Sequence, residues 1–269
     1  MGIEGTIGFL GFGNMGQAIF RGLIDAGTVP ANRLVTFDLD EDKMATAVEL
    51  GGRSADSPEA LASDSNVLLL ATKPQHMGEA LEAVRPGVSG DTLIISIVAG
   101  VSISSIQQAL GQDTRVVRVM PNTPALVRAG TAAIATSENC TANDAQTVEA
   151  IFSAVGIAER TDEEMIDVVT GLSGSGPAYF FYMVECLANA AEKLGIPADQ
   201  AERFAGETLY GAGRLLHESG ESAATLRERV TSKGGTTFAA LESFRQAGFE
   251  DVIEAGVWAA AARSRELGA

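Results

Sequence analysis

The chain opens on an apolar run, Thr6-Ile-Gly-Phe-Leu-Gly-Phe-Gly-Asn-Met-Gly16, that breaks into Gly11-x-Gly13-x-x-Gly16 and then into an amphipathic segment carrying Ala18, Ile19, Leu23 and Ile24. The pattern reads as strand, glycine turn, helix. That order points unpaired backbone N–H groups and the positive end of a helix dipole at one spot, which suits the pyrophosphate of a dinucleotide. Gly11 makes the tight turn, Gly13 lets phosphates approach the backbone, and Gly16 lets helix and strand pack closely. Phe12, Asn14 and Met15 complete the candidate cofactor turn. The plainer alternative is a glycine turn with no ligand.

Strand-length apolar runs recur through the first half: Gly5 to Leu10, Leu34 to Phe37, Val67 to Ala71, Thr92 to Val98, Val116 to Met120 and Thr131 to Ala135. They alternate with helical stretches. Near-continuous apolarity is what a parallel strand buried on both faces requires, and the alternation calls for right-handed crossovers. The fold class is therefore α/β, with an N-terminal, doubly wound, Rossmann-type domain. Ligands bind such sheets at the carboxyl ends of the strands, which gathers the glycine turn, Asp38, Thr72 to Gln75, Ile97 to Gly100 and Met120 to Pro124 along one edge.

Past Arg160 strand signals fade and helix patterns take over: Ala178 to Leu194, Ala198 to Ser219, Ser222 to Val230, Thr236 to Ala247 and Phe249 to Leu267. At 269 residues the chain reaches the size where single cores stop growing, and two domains are expected, 1–160 and an all-helical 161–269. The helical part carries wide apolar and small-residue faces, including Gly206, Gly211, Gly213 and Ala259 to Ala262. Covering them against a second copy is one solution, and a compact bundle core is the other.

Nineteen Lys and Arg against 35 Asp and Glu give a formal charge of −16, which argues against nucleic acid and anionic membrane surfaces as partners. An anionic ligand must then be held by local N–H dipoles and a few placed cations. Cys140 and Cys186 match no metal or redox spacing, so a reducing, cytoplasmic setting is expected and no metal site. No apolar run reaches the roughly 18 residues of a membrane helix. Met1-Gly2 with Thr6 matches a myristoylation pattern, but Ile3 to Leu10 reads as the first core strand.

Asp38 ends the second strand where a carboxylate can accept hydrogen bonds from the adenosine ribose, and no Arg follows it directly, which leans toward NADH. Ala71-Thr72-Lys73-Pro74 leaves the third strand through a proline that keeps Lys73 near the cofactor edge. In Arg118-Val-Met-Pro121-Asn-Thr-Pro124, two prolines fix a loop that offers Asn122 and Thr123 toward a nicotinamide. Gly171 to Tyr179 and Val230-Thr-Ser-Lys-Gly-Gly-Thr-Thr237 place glycines and hydroxyls at helix starts. Ser232, with the N–H groups of Gly234, Gly235 and Thr236, can hold a carboxylate beside Thr237; helix capping alone explains the same residues. His76 and His217, the two histidines, show no pairing with a carboxylate, which disfavours a His–Asp hydroxy-acid dehydrogenase.

At Ile7 to Gly16, Lys73-Pro-Gln75, Arg118 to Pro124, Gly171 to Tyr179 and Val230 to Thr237 the chain resembles the pyrroline-5-carboxylate reductase family over almost its full length. The resemblance implies NAD(P)H-dependent reduction of (S)-1-pyrroline-5-carboxylate to L-proline, on a Rossmann domain followed by a helical dimerisation domain. Homodimers or larger homo-oligomers are implied with it. By position, Gly11 to Gly16 would hold the pyrophosphate, Lys73 and Pro74 would flank the cofactor, and Ile97, Val98 and Ala99 with Asn122 would line the nicotinamide side. Ser232, Gly235 and Thr236 would hold the substrate carboxylate, and Thr237 would hydrogen-bond the ring nitrogen as the catalytic group. Lys233 departs from the proline most members carry, and Asp38 from their small or basic groups; the family commonly uses NADPH. The competing readings are another imine or β-hydroxyacid reductase of this architecture and a non-enzymatic dinucleotide sensor.

Overall fold

The structure, a computed structural model, describes residues 3 and 5–267. Met1 and Gly2 of the myristoylation match lie outside them. Chain contacts divide the molecule into two compact units, Met1–Gly174 with Ala259–Ala269, and Ser175–Trp258.

The first unit runs β1 (Ile7–Leu10), α1 (Asn14–Asp25), β2 (Leu34–Phe37), α2 (Glu41–Glu49), β3 (Arg53–Ser54), α3 (Pro58–Ser63), β4 (Val67–Leu70), α4 (Met77–Val84), β5 (Leu93–Ser96), α5 (Ile103–Leu110), β6 (Arg115–Met120), β7 (Gly130–Thr136), α6 (Ala142–Ser153), β8 (Gly156–Arg160) and α7 (Ile166–Val169). A π-helical turn, Thr170–Gly174, ends it. The eight strands form one sheet in the order β3-β2-β1-β4-β5-β6-β7-β8, the chain turning outward in both directions from β1. A crevice must open where the winding reverses, at the carboxyl ends of β1 and β4.

Apolarity on both sides of each central strand produces two core layers. Phe9, Leu69, Ile95 and Val117 face one layer, and Leu68, Leu70, Ile94 and Val116 face the other. Leu68, Leu69 and Leu70 are fully buried, each contributing about 1.5–3 kcal/mol by transfer from water.

Two features depart from the sequence reading. β7 pairs antiparallel with β6, because the 121–129 connection is too short for a crossover helix and folds back through a 3-10 turn at Thr123–Val127. β3 and β8 went unanticipated: one has two residues, and the other is an edge strand carrying Glu159 and Arg160, so neither shows an unbroken apolar run. The residue-160 boundary also falls inside the first unit. Ile166 is fully buried in its core, and Ala261 and Ser264 return to it, so the chain after β8 packs on the sheet before leaving.

The second unit holds α8 (Gly176–Lys193), α9 (Ala198–Ser219), α10 (Ala223–Arg229), α11 (Thr236–Gln246) and the first part of α12 (Phe249–Leu267), whose residues from Ala259 belong to the first unit. α8 packs on α9. Phe180, Phe181, Tyr182, Tyr210 and Trp258 are each more than half exposed. Apolar surface of this extent marks an interaction face. No helix among the described residues is long and apolar enough to cross a membrane.

Candidate active site

The glycine turn takes the form that its three glycines allow. Gly11 has φ +93°, and its N–H donates to Phe37 O at 2.8 Å. A Cβ there would sit 2.8 Å from the Ala71 carbonyl oxygen, and one on Gly16 would sit 2.9 Å from the Gly11 carbonyl oxygen. Gly13 differs: its backbone is extended and a Cβ would meet nothing within 4 Å. It caps α1 without any side-chain hydrogen bond, and the first turn of α1 has no acidic residue. The helix therefore presents unneutralised N–H dipoles over open space, which fits a phosphate.

Phe12 acts through its backbone. Its ring is fully buried and stacks edge-on with Phe20 at 5.1 Å, next to Phe9. Its N–H donates to Asp38 Oδ2 at 2.7 Å. Met15 packs on the same core and Asn14 is exposed. The other Asp38 oxygen accepts from the Asp40 N–H at 3.0 Å and faces Lys43 Nζ at 3.4 Å. Lys43 is drawn down by partial burial, but Asp38 and Asp40 outweigh this and hold its ammonium above the usual lysine range. Asp38 thus fastens the turn and carries a counter-cation.

A cleft of 390 Å³ brings Gly11, Gly13, Asp38, Ala71, Thr72 and Lys73 together. Leu39, Lys43, Pro58 and His76 also line it, and sequence reading missed them. Lys43 had a signal, a base on the first turn of a helix that starts with an Asp cap just after Asp38. Leu39 had none until its 94% exposure was seen. Pro74 begins a 3-10 turn for which Lys73 is the N-cap.

Ile97, Val98 and Ala99 follow β5 along the same edge, with Val98 buried and the Ile97 N–H donating to Leu70 O at 3.1 Å. Asn122, read as offered toward a nicotinamide, has its amide engaged on both sides: Nδ2 donates to Ser173 O at 3.0 Å, and Oδ1 accepts from Thr131 N–H at 2.8 Å. Two rigid backbones within reach outcompete solvent for that amide. Thr123 remains exposed.

In the second unit, Gly234 has φ +72°, Gly235 N–H closes a turn onto Ser232 O at 3.0 Å, and α11 starts at Thr236. A Cβ on Gly235 would collide with Ser232 Oγ. The helix start has neither a side-chain cap nor an acidic residue in its first turn. Among the described residues the hydroxyls of Ser232, Thr236 and Thr237 have no partner.

A Rossmann sheet with an open glycine turn, joined to a helical unit with an open helix start, defines a dinucleotide-dependent oxidoreductase. Residues 163–267 match the family description "Pyrroline-5-carboxylate reductase dimerisation", and a pyrroline-5-carboxylate reductase of Pseudomonas aeruginosa is 40% identical over 263 residues, 97% of this chain and 96% of that one. The chain belongs to the pyrroline-5-carboxylate reductase family. Residues 6–100 also match "NADP oxidoreductase coenzyme F420-dependent". The solved pyrroline-5-carboxylate reductase of Coxiella burnetii superposes with a TM-score of 0.92 at 34% identity, covering 98% of this chain and 99% of that one. A Plasmodium falciparum pyrroline carboxylate reductase solved with NADP bound gives 0.88 at 28% identity, covering all of both chains.

Proposed function

We propose that this protein is a pyrroline-5-carboxylate reductase, reducing the C=N bond of (S)-1-pyrroline-5-carboxylate with NAD(P)H to give L-proline, the final step of proline biosynthesis. The observation that carries this reading beyond family membership is the uncapped start of α11 with its three unpartnered hydroxyls. With Gly235 at the N-cap, no side chain stands in the capping position to cover the helix N–H groups. Left open, those N–H groups suit a carboxylate, with Ser232, Gly234, Gly235 and Thr236 around it and Lys233 adding a cation in a chain of charge −16.

The dinucleotide, when bound, supplies the hydride. Gly11, Gly13 and α1 hold its pyrophosphate, Asp38 lies at its ribose end, and Ala71, Thr72, Lys73 and Pro74 border it. Ile97 to Ala99 line its nicotinamide side, with Asn122 shaping the adjoining loop. Thr237 would donate a hydrogen bond that orients the ring nitrogen, which takes one proton from water as the imine carbon takes the hydride. Holding that geometry supplies much of the rate, because an imine accepts hydride without a strong acid. The first unit serves the dinucleotide, and Ser175–Trp258 serves substrate and homo-oligomerisation through its exposed aromatic faces. The acidic charge and the two unpaired cysteines fit the cytoplasm.

The deciding experiment is the loss of NADH or NADPH absorbance on adding pyrroline-5-carboxylate, with proline identified as product. Cofactor binding without oxidation would point to a sensor or another imine. Asp38 is tested by Asp38→Asn, which keeps an oxygen for the Phe12 N–H and removes the charge. The NADPH to NADH ratio of kcat/KM should rise about 10-fold, a 1.4 kcal/mol change. An unmoved ratio would show that Asp38 only fastens the turn.

A further inference from the structure

The chain leaves the first unit after Gly174 and re-enters at Ala259; the outgoing passage is tied to one buried arginine and the returning one to that arginine's carboxylate partner. Arg118, on β6, is 5% exposed. Its guanidinium faces Glu163 and Asp167, each at 3.4 Å, on the outgoing passage. Ser264, on the returning end of α12 and 4% exposed, donates to Asp167 Oδ1 at 2.6 Å.

Glu163 and the returning helix also reach the loop after β5. Glu163 Oε1 accepts the Ile103 N–H at 2.7 Å, where that loop becomes α5. Gly100, φ +76°, lies so close under the backbone of Leu267 that a Cβ would sit 2.8 Å from its carbonyl carbon. Within the loop, Val98 N–H donates to Ser96 Oγ at 3.4 Å, and Ser96 is the β5 residue in register with Arg118. One cation between two carboxylates, with Nε left unpartnered, is a poor device for stability alone. Apolar packing would serve a core better; a charged network fixes positions.

We infer that Arg118, Glu163, Asp167 and Ser264 are positioning residues that hold the Ile97–Val101 loop at the cofactor edge. The role in catalysis rests on the proposed function, which puts this loop on the nicotinamide side. Ser264 and Glu163 act through the loop and touch no reacting atom. Their loss should therefore loosen hydride transfer while leaving the pyrophosphate turn intact.

Ser264→Ala removes one hydroxyl, and Glu163→Gln keeps an acceptor for the Ile103 N–H while removing the charge; the second serves if the first folds poorly. In the protein without cofactor, amide hydrogen exchange in a peptide spanning 97–103 should accelerate at least about threefold. With pyrroline-5-carboxylate, kcat should fall about fivefold, with the NADH Kd within about twofold, and the primary isotope effect from 4-deuterated NADH should rise. Exchange at the parent rate in both variants would overturn the network. Faster exchange with kcat and isotope effect unmoved would overturn positioning in the reaction. If the parent protein oxidises no cofactor with this substrate, the proposed function fails, and the exchange result still judges the network.

Discussion

Gly13→Ala should leave the fold intact and raise the dinucleotide Kd at least about 10-fold, equivalent to 1.4 kcal/mol or more. The expectation comes from two facts about one residue. Its φ of −73° and ψ of −173° suit any L-residue, and an added Cβ would meet no protein atom within 4 Å. Folding therefore has no reason to object, and Tm should stay within about 1 °C. The empty space is the approach to the uncapped N-terminus of α1, where a methyl group holds a phosphate away from the N–H groups. Gly11→Ala is the contrast. There a φ of +93° costs about 1–2 kcal/mol for an L-residue, and the Cβ would press on the Ala71 carbonyl oxygen at 2.8 Å. That variant should lose several degrees of Tm as well as affinity, on the order of 2–4 °C per kcal/mol. Titrating NADH fluorescence against each variant, with a melting curve beside it, separates the two. An unaltered Kd for Gly13→Ala would remove the glycine turn from the cofactor site.

That separation was partly visible in the sequence. Gly11, Gly13 and Gly16 have distinct duties that spacing alone assigns, because tight turn, open approach and close packing occur in fixed order after a buried strand. Central strands were legible for a related reason: Leu68, Leu69 and Leu70 are apolar on both faces because both faces are covered. What stayed hidden depends on partners distant in sequence. Asn122 looks like a free amide until Thr131 and Ser173 are seen to satisfy it. Arg118 looks like an ordinary strand arginine, since its partners Glu163 and Asp167 lie 45 and 49 residues downstream, and Ser264 reaches Asp167 only after the chain has passed through a second unit and returned. The turn of β7 back along β6 follows from a connection length that apolar-run counting does not weigh.

Thr237→Ala should lower kcat/KM for pyrroline-5-carboxylate by about 10²-fold, the usual loss for one aligned donor in a reacting site, while the NADH Kd changes less than about twofold. Thr237 is half-buried on the first turn of α11, its hydroxyl unpartnered within the protein and the helix start uncapped around it. A hydroxyl that served the fold would have a hydrogen-bond partner within the protein, and its removal would cost about 0.5–1.5 kcal/mol of stability. This one makes no such bond, so Tm should hold steady or rise slightly as alanine replaces a poorer helix former. Loss of turnover without loss of stability would then locate the duty of the hydroxyl in the substrate. Thr237→Ser restores the oxygen without the methyl and should recover most of the activity. If Thr237→Ala turns over at the parent rate, the ring nitrogen finds its donor elsewhere, and the open start of α11 would have only the carboxylate to hold.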